Sequence, residues 1–338
     1  MSVGPLRLTL LVPGLSGAAG GPGRNIPGDA GRHPALQTLL ARASQRAQPI
    51  GIEALRYRLF GYALSESHDH PDAWLSYQID TGVVAPGPVL RADPVHLRAD
   101  RSRLLLFDAG PLRIAPEEAG ALAEAFNRHY AAAGLRLEFP VPTRGYLHLP
   151  RQPELRTTPL SQVIGRDVDA NLPAGHEARD WHRFLNEVQM LFHDHPVNRA
   201  REANGQSPIN SLWLWGGGRP LVATANDWQH VWCTDPVVKG LARLNGIGYS
   251  PSLDDASVWL HEAVGDRHLA CLDGLRQAAA YGDAEAWYAQ LEGLERDWFA
   301  PLLQALRRGH LRELTLYPDD GHEYRITRWD LWKFWRRP

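Results

Sequence analysis

The first hydrophobic run, Leu6-Arg7-Leu8-Thr9-Leu10-Leu11-Val12, is cut short by Pro13-Gly14 and predicts a buried first strand. A glycine-rich stretch with Pro22 and Pro27 follows over residues 14–31. In α/β folds such a loop often borders a ligand, although a plain connector fits equally well. It contains no P-loop pattern and no convincing dinucleotide fingerprint. Residues 34–47 predict a helix with Leu36, Leu39 and Leu40 on one face, and residues 52–60 a second helix stopped by Gly61-Tyr62. Residues 65–71 are polar and predict a loop.

From about residue 72 to 208 the pattern changes. Short strands are predicted at residues 104–107, 135–139 and 146–149. Between them lies a helix over residues 116–133, with Pro116 in its first turn, Glu117 and Glu118 at its positive end and Gly134 as its C-terminal cap. Another helix, residues 177–192, carries Trp181, Phe184, Leu185, Val188 and Leu191 at helical spacing. Ser211-Leu212-Trp213-Leu214-Trp215 then reads as a buried strand running into Gly216-Gly217-Gly218. Strand and helix patterns alternate from there: helix 236–245, a long helix 284–308, strand 311–317 and a strand-like 324–327. Alternation of this kind predicts a parallel sheet covered by helices. The expected organisation is a core domain of residues 1–71 and 209–338, interrupted by a smaller α+β domain of residues 72–208.

Composition narrows the functional classes. The 338 residues are 44% hydrophobic and 22% charged, the balance of a folded chain. A net charge of −2 supplies no basic field for nucleic acid. The first apolar run is too short for a secretory signal, and no run approaches a membrane span. Cys233 and Cys271 make no disulfide framework and read as buried hydrophobes, so a reducing, cytoplasmic location is expected, with no membrane partner. The chain has 12 Trp, of which Trp298, Trp329, Trp332 and Trp335 lie near the C-terminus, as a packed edge or a partner surface.

Two polar clusters could carry chemistry. In His193-Asp194-His195-Pro196-Val197-Asn198-Arg199-Ala200-Arg201 the two imidazoles could ligate a metal, but the arginines suit anion recognition better. The alternative is a solvated loop. Asp319-Asp320-Gly321-His322-Glu323 follows a buried strand, where α/β proteins keep ligands, yet Asp-Gly is equally a hairpin turn and the turn is favoured. There is no Gly-x-Ser-x-Gly elbow for an esterase.

Several stretches resemble, in order, the archaeal-type cofactor-independent phosphoglycerate mutases of the alkaline phosphatase superfamily. The most specific is Pro196-Val197-Asn198-x-x-Arg201-x-x-x-Gly205-x-x-Pro208-x-Asn210, running into Leu212-Trp213-Leu214-Trp215-Gly216-Gly217-Gly218. Looser matches are residues 34–41, Leu59-Phe60-Gly61-Tyr62 and residues 91–118. The chain also looks like a bacterial regulatory branch of that family. The resemblance implies a phosphatase-like sheet domain with an inserted lid, and phosphoryl transfer through a serine between two divalent cations (Mn, Zn or Mg).

The residues depart from that pattern. Val12-Pro13-Gly14-Leu15 has no acid where the family has its first metal-ligating Asp, and Ile50-Gly51-Ile52 has no hydroxyl where it has its serine. The family's Asp-x-x-Gly-His has no matching His between residues 272 and 283, and its late Asp-His is Asp319-Asp320. Positions implied to face substrate are better kept: Arg91, Arg144, His195, Asn198, Arg201, Asn210 and Trp215. The expectation is therefore a non-catalytic, regulatory relative without metal, binding a phosphorylated or carboxylated metabolite or a protein partner. The competing expectation is a metal-dependent phosphotransferase or phosphatase using Asp319, Asp320 and His322. A third reading makes the Trp-rich C-terminus a surface for self-association or a partner.

Overall fold

The computed structural model describes residues 6–17, 33–64, 68–101 and 103–333. Most of the glycine-rich stretch and Trp335 lie outside them. From the N-terminus, β1 (Leu6–Leu11), α1 (Pro34–Arg42), β2 (Ser44–Ala47) and α2 (Ile52–Leu59) come first. Next are α3 (Asp72–Thr81), β3 (Val89–Asp100), β4 (Arg103–Phe107), α4 (Ala109–Leu112), α5 (Pro116–Tyr130), β5 (Arg136–Val141), β6 (Arg144–His148), α6 (Ala178–His193), α7 (Pro196–Ala203) and β7 (Ser211–Trp215). The chain continues with β8 (His230–Trp232), α8 (Pro236–Leu244), β9 (Gly248–Ser250), α9 (Ala256–Glu262), β10 (Arg267–Cys271) and α10 (Gly274–Tyr281). It closes with α11 (Ala284–Leu294), α12 (Ala300–Arg308), β11 (Leu311–Tyr317) and β12 (His322–Thr327). Two compact units result, Met1–Ala63 with Ala223–Pro338, and Leu64–Val222.

The first unit is a mixed α/β structure around a seven-stranded sheet, ordered β2-β12-β11-β1-β10-β8-β9. β1 lies between β10 and β11, parallel to both; β8 and β9 continue in parallel, and β12 and β2 add an antiparallel margin. Leu8 and Leu10 of β1 and Leu314 and Leu316 of β11 face one core, closed by Trp298, Phe299, Leu302 and Leu306. Each such side chain contributes roughly 1.5–3 kcal/mol of burial. Because the central strands are parallel, their carboxyl ends emerge on one edge.

Two predicted helices differ in detail. The one expected over residues 34–47 stops at Arg42, and β2 pairs with β12 instead (Gln45 opposite Tyr324). Its apolar face ends at Ala43, and residues 44–47 are exposed, so nothing there rewards another helical turn. The long helix 284–308 is interrupted by a π turn at Glu295–Phe299, just ahead of Pro301, which has no N–H to donate. The Glu295 carboxylate in that turn accepts from the Ala35 and Leu36 amides at 2.6 and 3.0 Å, satisfying free donors at the start of α1.

The second unit is the α+β element the sequence suggests. β3 pairs antiparallel with β4, β6 and β7, and β5 with β6. α5 and α6 pack Phe126, Phe184, Val188 and Phe192 against Leu90, Leu212 and Leu214 of the sheet. The helix expected over residues 116–133 is α5 plus a 3-10 turn, capped by Gly134 at φ 68°. The strand Ser211–Trp215, expected to begin the returning core domain at residue 209, pairs instead with β3, from Arg91 opposite Trp215 to Val95 opposite Ser211. Cross-strand hydrogen bonds thus place it in the second unit, which runs from Leu64 to Val222. No helix among the described residues is long and apolar enough to cross a membrane.

One buried imidazole makes the first unit acid-sensitive. His268 of β10 is 0% exposed, accepts from Trp232 Nε1 at 3.4 Å and meets the Trp259 ring edge-on. Burial pushes its pKa down from 6.5 to about 4, with His230 adding to the effect and a Gly265 backbone contact and Asp266 opposing it. The unfolded chain takes up a proton that the folded chain refuses. This contribution to stability is complete above the unfolded value and is lost as pH falls toward the folded one. The loss approaches about 3 kcal/mol. Urea unfolding across that window should show it, and His268→Phe should flatten the slope. An identical slope in the variant would count against this origin.

Candidate functional site

In the first unit an acid lies within three residues beyond the carboxyl end of each of three parallel strands: Asp235 after β8, Asp273 after β10 and Asp319 after β11. Glu53 and Arg56 reach in from α2, and Arg276 from α10. Arg56, Asp235, Asp273 and Arg276 line one small cavity together with Leu11, Pro13, Ile52, Val238 and Cys271, and Glu53 and Asp319 lie beside it, each close enough to Arg276 to feel its charge.

The cations are held firmly. Arg56 NH1 lies 2.7 Å from Asp235 Oδ2, with both side chains nearly buried at 6% and 11% exposure. Asp235 Oδ1 accepts from the Val237 and Val238 amides at 2.7 and 3.2 Å, capping α8. Burial raises the Asp235 carboxyl, but Arg56, Arg276 and these amides outweigh it and hold its pKa below the ordinary value. Arg276 lies 3.4 Å from Glu53. Thr234 Oγ1 donates to Asp273 Oδ2 at 3.2 Å. The Asp273 pKa is raised, by burial first and by Asp235 second. Asp319, in a left-handed turn at φ 63°, is pushed up to about 6 by burial and then by Glu53. Burial also raises both free thiols, Cys233 and Cys271. Among the described residues no group of three or more His, Cys, Asp and Glu stands together in a way that could hold a metal ion.

Of the proposed metal candidates, only Asp319 belongs to this edge. Asp320 accepts from the His322 amide at 2.9 Å and from Tyr324 Oη at 2.7 Å, inside the β11–β12 hairpin. His322 Nδ1 lies 3.6 Å from Asp320, so these two residues serve the turn. Sequence reasoning passed over Asp235, Glu53, Arg56 and Arg276.

The ligand candidates lie in the second unit, in two networks. Arg91 is bonded to Asp93 at 2.6 and 3.1 Å, and Trp215 Nε1 donates to the other Asp93 oxygen at 2.7 Å. Arg144 grips Asp80 with two bonds of 2.7 Å, and Tyr146 Oη donates to the same acid at 2.6 Å. In the second network Asn198 donates to the Phe192 and Ile209 carbonyls and accepts from the Ile209 amide, each at 2.8 Å. Arg201 joins Glu118, Ser207 and Leu112. Asn210 brackets the Leu97 amide and carbonyl at 2.7 and 2.9 Å, and His195 Nδ1 accepts from the Val197 amide as the cap of α7. Acids of the same unit engage all three guanidinium groups.

The glycines after β7 are equally architectural. A Cβ on Gly218 would lie 2.1 Å from the Asp69 carbonyl oxygen, so only glycine lets these two backbones approach, while one on Gly217 would press on the buried Leu90 side chain. In this chain the motif that carries the resemblance most specifically makes these contacts within the second unit.

No protein-family model matches the chain. It is 28% identical over 244 residues to 2,3-bisphosphoglycerate-independent phosphoglycerate mutase 2 of Methanothermobacter thermautotrophicus, covering 64% of this chain and 58% of that protein. It is 25% identical over 254 residues to the 2,3-bisphosphoglycerate-independent phosphoglycerate mutase of Methanosarcina mazei, covering 70% and 60%. The chain thus spans a little over half the length of the curated relatives it matches. Its fold is similar to that of the PH0037 protein from Pyrococcus horikoshii, at a TM-score of 0.53 and 16% identity, over 96% of this chain and 87% of that one. The chain is thus similar to archaeal proteins named as 2,3-bisphosphoglycerate-independent phosphoglycerate mutases, and its mixed α/β fold is similar to that of the PH0037 protein.

Proposed function

We propose that this mutase-like chain acts by binding, in a regulatory role, and does not carry metal-dependent phosphoryl transfer. The observation that carries the reading is the pair Arg56 and Arg276 set among Asp235, Asp273, Glu53 and Asp319. Two divalent cations need several unprotonated donors with free lone pairs, and imidazole where the ion is zinc-like. Here no imidazole lines the cavity, and both Asp235 oxygens are engaged. A guanidinium stays charged at every working pH, so two permanent cations already neutralise these acids and would repel incoming metal ions. The donor set does not suit the dimetal chemistry of the family, and no step is derived through it.

Within this reading a protein or other macromolecular partner is favoured over an anionic metabolite. The guanidinium groups of Arg91, Arg144 and Arg201 are neutralised by Asp93, Asp80 and Glu118. An added phosphate would have to displace a carboxylate at each. The free thiols suit a reducing cytoplasm.

One contact favours a second reading, group transfer without metal. The Thr234 hydroxyl meets an acid whose pKa is raised, beside Arg276, an arrangement in which Asp273 could take a proton from an attacking oxygen. A single experiment separates the readings. Purified protein should contain no stoichiometric Mn, Zn or Mg and show no turnover of 3-phosphoglycerate with any of them added. Close to two metal equivalents, or metal-dependent turnover, would overturn the proposal. Metal-independent hydrolysis of a phosphate ester that disappears in Thr234→Ala would replace it with the second reading.

A further inference from the structure

The turn after β12 holds the most exposed tryptophans among the described residues. Trp329 is 70% and Trp332 71% exposed. The backbone that presents them is fastened from beneath. Asp330 Oδ2 accepts from the Thr327 amide at 2.9 Å and its hydroxyl at 2.7 Å, and Lys333 pairs with the other Asp330 oxygen. Leu331 packs on the main core, and Arg42 donates to its carbonyl. A 3-10 turn so anchored cannot swing its two indoles inward to bury them.

Cations surround the pair. The Arg328 guanidinium stacks 5.1 Å from the Trp329 ring. It also lies beside Gly309, where a Cβ would stand 3.2 Å from its NH1, which brings the end of α12 with exposed Arg307 and Arg308 next to it. Arg42, Arg328 and Lys333 thus stand at this turn, with exposed Arg307 and Arg308 at the end of α12 beside it. The chain as a whole carries a net charge of −2, so this cluster is a local reversal of sign.

We propose that this turn is a docking surface for a bilayer rich in anionic headgroups. Tryptophan, with an apolar body and a polar N–H, favours the level of lipid headgroups, and flanking Lys and Arg add attraction to anionic lipid. Area argues against a protein partner or a second copy: the two indoles expose about 350 Å², well under the about 800 Å² per partner that a stable protein interface buries. They also protrude from a turn rather than line a groove. Contact of this kind needs no membrane-crossing helix, and it revises the sequence-based expectation of no membrane partner. The proposal stands whether or not the strand-end cavity has any activity.

The test is sedimentation of the full chain with vesicles of phosphatidylcholine alone and of phosphatidylcholine mixed with phosphatidylserine. At least about tenfold more protein should accompany the phosphatidylserine vesicles, and added salt should release it. Trp329→Ser with Trp332→Ser should remove that excess without changing the circular dichroism, because both side chains lie outside the core. Arg307→Glu with Arg308→Glu should remove it as well, through charge alone. Equal binding to both kinds of vesicle, or full binding by either variant, overturns the proposal. So does a fall in solution mass from dimer to monomer in the tryptophan variant, which would assign the turn to self-association.

Discussion

Replacing Arg56 by methionine should destabilise the protein by about 3–5 kcal/mol, the usual effect of removing one member of a buried ion pair. Methionine restores most of the aliphatic volume but leaves the Asp235 carboxylate with no guanidinium at 2.7 Å. The amides of Val237 and Val238 would still bond to it, so part of the native stabilisation of the charge survives. The pH dependence should change sign. In the native chain the Asp235 pKa is depressed, so its contribution is present above the unfolded value of 3.8 and disappears as pH falls through the folded one. Without Arg56 the burial that now opposes ionisation prevails, the folded pKa rises above the unfolded one, and acid relieves the variant. Urea unfolding of native protein, Arg56→Met and Arg56→Met/Asp235→Asn over a range of pH reads all of this. The double variant should recover more than half of the loss. A loss below about 1 kcal/mol, with an unchanged pH slope, would mean that the pair is a surface ornament despite its burial.

That experiment also bears on function, since the same guanidinium stands among the acids at the carboxyl ends of the parallel strands. If Arg56 only fills space, its removal reveals nothing beyond a cavity. If it serves as the resident charge of the edge, its removal exposes four acids with one remaining arginine. The Asp273 carboxyl, already raised by burial, would then rise further, since Arg56 is one of the neighbours that offset it.

The strands and helices most legible in the sequence were those with long apolar periodicity, such as β1, α5, α6, β7, α8 and β11, with α2, β4, β5, β6 and β12 found from shorter runs. β3 was not predicted, because Arg91, Asp93, Pro94 and His96 break the apolar pattern until Asp93 is seen neutralising Arg91 in the interior. β8 has three residues and β10 five, too few to show a period, and so the acids that follow them had no recognisable strand end to mark them. Asp319 stood out because β11 is seven residues long. Arg56 could not be linked to Asp235 at all, since 179 positions separate them in the chain. The acids that engage Arg91, Arg144 and Arg201 were hidden for a related reason: a sequence shows a guanidinium but not the acid opposite it. Asp80 meets Arg144 across 64 positions and Glu118 meets Arg201 across 83.

Arg91 offers the sharpest separation of architecture from ligand binding. It is 5% exposed, bonded twice to an Asp93 that is 0% exposed, and stacked 5.3 Å from the Tyr146 ring and 5.1 Å from that of Trp215. The Gly145 amide and Trp215 Nε1 complete the shell of Asp93 at 3.2 and 2.7 Å. Arg91→Met should therefore cost about 3–5 kcal/mol in unfolding free energy, since Asp93 keeps two neutral donors and loses its only buried cation. Arg91→Lys should recover little of it, because an ammonium can neither fork onto the carboxylate nor stack flat between two rings. Removing both charges with Arg91→Met/Asp93→Asn should recover a larger part, as a neutral amide is cheaper to bury than a stranded anion. A guanidinium held in readiness for a ligand behaves in the opposite way: its loss leaves the free protein within about 0.5 kcal/mol of native stability and abolishes the stabilisation that the ligand confers. Thermal unfolding of the three variants, with and without 3-phosphoglycerate, decides between the two. An unaltered melting profile for Arg91→Met would return this residue to the list of binding groups.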